Sequence, residues 1–443
     1  MQDNKLAQTF IPMNLILYSI PTIIMMVLNS TYGIIDGLFI SNFVGEDALA
    51  ATNIAFPVIL IAIAIGLMMA TGANAIIGKL LGERKEHQAR ELLSFIYIVA
   101  ILASVTISTI ILVFADEFLT LIGANAALLP LAKEYLVAAA PFLTFILLQI
   151  FTQIFLVTAG KPIIGFAACL IGGITNIVLD YVLIVSFDLG LTGAALATGT
   201  GYSVGGIFGF LYFLICRRGS LYFVKPRWNF RQLAHSLYNG MSEFVSSTSG
   251  AITTVLFNII MMQIAGESGV AGITVIMYVS TILSAMYMGY SMGVSPVISY
   301  KFGAQAHEQL QLINKTSKKV IAVISIVTVV LSIIFAEAAV GIFISPESAT
   351  FALTVHGFRI YAIAFLFMGF NVFISAMFTA LSNGRISAIV SVSRTLVFIV
   401  TALVTLPFIF GINGVWVAVP VAEALGIIVS LIYFKKYKRV YNY

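Results

Sequence analysis

Charge is scarce in this chain. Of its 443 residues only 9% are Asp, Glu, Lys or Arg, while 60% are hydrophobic. Ordinary soluble domains carry roughly 25% charged residues, so a solvated surface around a single core is excluded. Cysteine is scarcer still: Cys169 and Cys216 are the two present, both within or at the end of apolar stretches, which excludes a disulfide framework. His87, His235, His307 and His356 are isolated from one another and from both cysteines, so no metal site is legible. Nucleotide-binding motifs are missing too. Gly72 to Leu80 imitates a phosphate loop, but its glycines are one residue too far apart and Leu80 replaces the metal-binding hydroxyl. Gly199-Thr200-Gly201 continues to Gly205 with the wrong spacing for a dinucleotide fingerprint. No enzyme is expected.

What the chain has in abundance is long apolar runs, and its mean hydropathy is +1.06. Each run exceeds the roughly 20 residues that a helix needs to cross a bilayer's hydrocarbon core. Spans are predicted at about 14–43, 48–77, 91–115, 132–158, 162–186, 190–215, 235–263, 268–297, 318–344, 352–381, 385–409 and 413–434. The expected fold class is an all-α integral membrane protein with twelve transmembrane helices. With the N terminus placed in the cytoplasm, all 23 Lys and Arg residues except Lys133 and Arg359 fall on the inner side, whereas Glu46, Asp47, Asp116, Glu117, Asp188, Glu267 and Glu347 fall outside. One miscounted span would scramble this segregation. The net charge of +5 is thereby a matter of topology, and no nucleic-acid partner is expected; membrane lipids are, since the basic tail can attract anionic headgroups. Residues 1–10 show no charged region followed by a small-residue cleavage site, so the first span is expected to act as an uncleaved insertion signal.

The second half of the chain repeats the first. Gly45-Glu46 matches Gly266-Glu267, Gly82 matches Gly303, Phe114-Ala115-Asp116 matches Phe335-Ala336-Glu337, Gly190 matches Gly411 and Gly193 matches Gly414, all at an offset of 221. Gly160 matches Gly384 if a small local insertion is allowed. Six spans followed by six more give two lobes of like orientation, related by a pseudo-two-fold axis along the membrane normal, with a central cavity and alternating access as the implied architecture. The expected boundaries are an N-terminal lobe at 1–216, a cytoplasmic linker at 217–234, a C-terminal lobe at 235–434 and a basic tail at 435–443. Repeated glycines alone would signify only close helix packing; their collinearity is what indicates duplication.

A carboxylate at bilayer depth is costly and is by default a functional hypothesis. Asp36, Asp180, Glu243 and Glu423 qualify. Asn176 and Asp180 share one helix face at i and i+4, and Thr198 supplies a hydroxyl, so that Asp36, Asn176, Asp180 and Thr198 together offer hard oxygen ligands for H⁺ or Na⁺. The repeat places apolar residues near Val400 and Val404 opposite Asn176 and Asp180. Asp36 and Asp180 are thus not repeated, which places the expected coupling site in the first half. Glu243 is a possible cavity acid, or a capping residue near a helix end. Glu423 is expected to pair with Arg394. The 15 methionines and 34 phenylalanines are compatible with a cavity that accommodates ligands of differing shape, and lipid-facing packing accounts for most of them equally well.

Asp36 with the following Phe43-Val44-Gly45-Glu46-Asp47-Ala48-Leu49-Ala50-Ala51, the Asn176 to Asp180 pair, the Gly193-Ala194-Ala195-Leu196-Ala197-Thr198 run and the six-plus-six repeat resemble the MATE family of multidrug and toxic compound extrusion transporters, in its MepA-like or DinF-like bacterial branch. The resemblance covers essentially the whole chain. It implies export of cationic or amphipathic compounds against inward H⁺ or Na⁺ movement, by a monomer in a bacterial cytoplasmic membrane with both termini inside and no cofactor beyond the coupling ion. The family's cation site falls on Asp36, Asn176, Asp180 and Thr198, with Ala194 as a backbone ligand, and Pro21 matches a proline where the first span bends. A second family pattern uses acids in spans 7 and 10; Glu243 matches the first, but Phe370-Asn371-Val372-Phe373 holds none. A lipid-linked precursor flippase is the alternative; it would be expected to line its cavity with several cations, and Arg359 and Arg394 are nearly alone in their spans.

Overall fold

The computed structural model describes residues 5–443, the Glu46 side chain excepted, and contains no strand among those residues. Residues 1–4, part of the expected uncleaved leader region, and the Glu46 carboxylate lie outside the description. Eleven helices among the described residues are long and apolar enough to cross a membrane. These are α1 (Pro12–Val44), α2 (Asp47–Gly82), α3 (Glu86–Val113), α4 (Leu129–Thr158), α5 (Pro162–Ser186) and α6 (Gly190–Ile215). After the short α7 (Phe230–Asn239) come α8 (Met241–Gly303), α9 (His307–Ile334), α10 (Ala349–Ala380), α11 (Gly384–Phe410) and α12 (Ile412–Tyr441). The 63-residue α8 is two helices joined at Gly266, whose φ of 62° and ψ of −152° are non-helical. The twelve predicted spans are therefore present, two of them as the arms of α8. Span 7 starts at Met241 rather than 235, because α7 ends at Asn239 and Gly240 interrupts it.

The repeated glycines now have a physical reason. Gly45 (φ 126°) and Gly266 (φ 62°) turn the chain between the first and second spans of each half, and Gly190 (φ 52°) and Gly411 (φ 57°) turn it before the last. At positive φ an L side chain is strained and glycine is not. The pairing of Gly160 with Gly384 is corrected: the residue that shares the positive φ of Gly160 (77°) in the corresponding turn is Ser382 (60°). The offset there is 222, so the expected local insertion shrinks to one residue.

The chain forms two compact units, the first made of residues 5–8, 24–240 and 299–304 and the second of 9–23, 241–298 and 305–443. Two expected boundaries move. The start of α1 belongs to the second unit because Gly289 and Gly293 of α8 let the α1 backbone approach: a Cβ on Gly289 would stand 2.7 Å from the Thr22 carbonyl oxygen. The last residues of α8 belong to the first unit because Gly82 and Gly303 bring the ends of α2 and α8 into backbone contact, at Tyr300 and Lys79. The segment expected to be a linker is strapped to α3. Val224 N donates to Ser94 Oγ (2.9 Å), and Arg90 Nε donates to the Ser220 carbonyl (2.9 Å). The expected tail continues α12 as far as Tyr441.

Within each unit packing is by shape. Lipid tails are as apolar as leucine, so helices associate through van der Waals fit and small residues rather than through release from water. In the first unit Tyr97 sits among Phe151, Phe155, Phe213 and Phe223. In the second, Trp416 lies on Gly357 and Tyr287 on Gly369. Alanine at Gly411 (φ 57°, ψ −137°) should cost about 1–3 kcal/mol, read as a lower midpoint of thermal unfolding in detergent. Gly250→Ala, at a helical glycine with open space around it, should leave the midpoint unchanged or raise it.

Candidate functional site

Three helices of the first unit converge on one polar cluster, and glycines make the convergence possible. Gly172 of α5 and Gly201 of α6 face each other so closely that a Cβ on Gly172 would lie 2.7 Å from the Gly201 carbonyl, and one on Gly201 would lie 2.7 Å from the Asn176 Cβ. Gly173 accepts the Tyr32 ring of α1. Asp36 of α1, Asn176 and Asp180 of α5 and Thr198 of α6 then meet. Asn176 Nδ2 donates to Asp36 Oδ1 (3.0 Å) and to Asp180 Oδ2 (3.2 Å). Thr198 Oγ1 donates to Asp36 Oδ2 at 2.6 Å.

Burial is graded across the cluster. Asp180 is fully buried and Asn176 nearly so, whereas Asp36 and Thr198 are half-buried. Asp180 Oδ1 is buried with no hydrogen-bond partner, and none of the ion pairs among the described residues involves Asp36 or Asp180. Two carboxylates bridged by one neutral amide, in a site without a cationic side chain, repel each other when both are ionised; a proton or a small cation between them relieves that repulsion. Ala194 lies one turn before Thr198, buried beside Leu191 and Ala195, so only its backbone has anything to offer. Sequence reasoning missed the tyrosines. Tyr202 stands within electrostatic reach of Asp36, and buried Tyr135 within reach of both acids. Tyr202 follows Thr198 by one turn and Tyr32 precedes Asp36 by one turn, a spacing that would have revealed both.

The family model described as MatE matches residues 21–182 and again residues 242–404. The chain belongs to the MatE family. Its two matches begin at the same 221-residue offset as the repeated glycines, so each half carries one copy of the MatE unit. The multidrug export protein MepA of Staphylococcus aureus (strain bovine RF122 / ET3-1) is 26% identical over 417 residues, which is 92% of this chain and 90% of that protein. MepA of Staphylococcus saprophyticus is 24% identical over 414 residues, with 92% and 90% covered. Among solved structures, a multidrug resistance MATE family transporter of the MOP superfamily in an outward-facing conformation superposes with a TM-score of 0.92 at 24% identity, covering 98% of both chains. The all-helical membrane fold is thus that of MATE transporters.

In the second compact unit the acids are differently placed. Glu423 is buried, and both its carboxylate oxygens are bonded: Arg394 Nη1 donates to Oε1 (2.6 Å) and Asn371 Nδ2 to Oε2 (2.7 Å), with Ser430 Oγ donating to Asn371 Oδ1 (2.7 Å). This is the expected pair with Arg394. Glu243 stands half-buried in the first turn of α8, where the helix N-terminus favours negative charge, and within electrostatic range of Arg394. Pro21 lies inside α1, just before the Ile23–Ile24 point where the chain passes from the second unit to the first. Removing one member of the buried pair strands the other charge, so Arg394→Met should destabilise the protein by about 3–5 kcal/mol. The double variant Arg394→Met, Glu423→Gln should recover most of that loss in the same thermal-unfolding measurement.

Proposed function

We propose that this MatE protein is a secondary active exporter of cationic or amphipathic organic compounds, exchanging them for H⁺ or Na⁺ at the first unit's carboxylates. The observation that carries the reading is the contrast between the units: Glu423 has a built-in cation, and Asp36 and Asp180 have none. A buried pair of acids without a fixed counter-charge is suited to a counter-charge that comes and goes. The relatives named as multidrug export proteins support the same substrate class.

The donor set fits either ion. Asp180 Oδ1 offers a free lone pair for a proton, and with Asp36 and Thr198 it offers the hard oxygens that an alkali cation prefers. Half-buried Asp36 provides the approach and buried Asp180 the retention. Transport couples because the ion's affinity differs between two conformations of the protein. Pro21 supplies a place for α1 to change shape, since its ring has no N–H to give to the helix and weakens the turn before it. The staphylococcal relatives support a bacterial cytoplasmic membrane, and segregation of the basic residues supports both chain termini inside.

The test is ethidium efflux from vesicles holding the purified protein, with a pH gradient or a Na⁺ gradient imposed separately. Wild-type efflux should follow one of the two gradients. Asp36→Asn and Asp180→Asn should each lose gradient-driven efflux by about tenfold or more while inserting normally; full activity in the double variant would overturn the proposal. Pro21→Ala should slow transport several-fold at unchanged or raised thermal stability.

A further inference from the structure

The second unit carries a cluster of cations that its own fold leaves uncompensated. Lys435, Lys436, Lys438 and Arg439 are exposed at the end of α12, and Lys315 and Lys318 are exposed at the start of α9. The two helix ends converge: Lys318 Nζ lies 5.0 Å from the centre of the Phe434 ring, and Gln311 Nε2 donates to the Asn442 carbonyl at 3.4 Å. Lys438 is within electrostatic range of Lys318. None of the ion pairs among the described residues involves any of the six. Around the α2–α3 turn of the first unit, by contrast, Lys79, Lys85 and Arg90 are paired. Lys85 pairs with Glu83 (2.7 Å) and Arg90 with Glu86 (2.8 Å).

The α12 end is also held in place rather than left to fray. Tyr433, Tyr437 and Tyr441 stack at ring separations of 6.4 and 6.1 Å, Asn383 Nδ2 donates to Tyr441 OH (2.9 Å), and the buried Tyr443 donates its hydroxyl to the Phe434 carbonyl (2.8 Å). Such a tyrosine ladder suits the headgroup level of a membrane. One turn nearer the helix middle, Ile428 (54% exposed) and Ile432 (58% exposed) turn apolar surface outward. Cations above, aromatic rings at the boundary and an apolar face below match a molecule with an anionic head and acyl chains.

We infer that this surface binds an anionic phospholipid, its phosphate held between the basic end of α12 and the lysines of α9. The apolar face continuous with the cations selects a lipid over free phosphate. Like charges crowded without an ion-paired carboxylate are relieved by that headgroup, and the contact weakens as salt screens it.

The experiment uses the full-length protein purified from nanodiscs of phosphatidylcholine and phosphatidylglycerol in equal amounts, with retained lipids counted by native mass spectrometry. The wild type should retain phosphatidylglycerol about tenfold over phosphatidylcholine. The variant Lys435→Gln, Lys436→Gln, Lys438→Gln, Arg439→Gln should lose that preference, and Lys85→Gln should keep it. Adding inorganic phosphate should displace the lipid no more than chloride of equal ionic strength; stronger displacement would assign the site to free phosphate and overturn the lipid reading. Equal retention of the two lipids by the wild type, or an unchanged preference in the quadruple variant, would overturn it as well. Should the variant fail to insert, the wild-type comparison decides by itself.

Discussion

The proposed coupling site rests on two carboxylates that share one amide and have no fixed cation. Asn176 satisfies one oxygen of Asp36 and one of Asp180, Thr198 satisfies the other oxygen of Asp36, and Asp180 Oδ1 remains open. A neutral bridge holds the acids in place without discharging them. Had a lysine or arginine stood in the same position, the cluster would be a structural ion pair, as Arg394 makes of Glu423. The duplicated architecture thus presents the two outcomes side by side in one molecule.

Small residues enforce this arrangement. Gly172, Gly173 and Gly201 determine how near α1, α5 and α6 come, and hence whether a short asparagine can reach two aspartates at once. A Cβ on Gly172 or Gly201 would stand 2.7 Å from the facing helix, so the helices would have to move apart and the hydrogen bonds of the cluster would lengthen. The packing that stabilises the unit in lipid and the geometry of the cluster therefore have one cause.

Much of this was legible in the chain itself. Hydropathy and the sidedness of lysine and arginine gave the spans, and the glycine offset gave the duplication, because Gly45, Gly266, Gly190 and Gly411 occupy backbone conformations that few other residues tolerate. The cluster was legible through the cost of its acids and through helical spacing. Other features were not. The passage of α1 between units depends on Gly289 and Gly293, far away in sequence and indistinguishable by pattern from other helical glycines. The equivalence of Gly160 with Ser382 is a likeness of backbone angle, not of residue type. The docking of residues 217–229 on α3 runs through backbone groups that no side-chain pattern announces.

The central claim is that a small positive ion and the exported compound compete for the state of Asp36 and Asp180. Its most direct measurement is ion release on substrate binding by the purified protein: tetraphenylphosphonium is added in weakly buffered detergent solution, and released H⁺ and Na⁺ are followed together. The wild type should release one of the two ions, and Asp36→Asn, Asp180→Asn should bind the compound without releasing either. Binding without ion release by the wild type, or equal release by the double variant, would contradict the account.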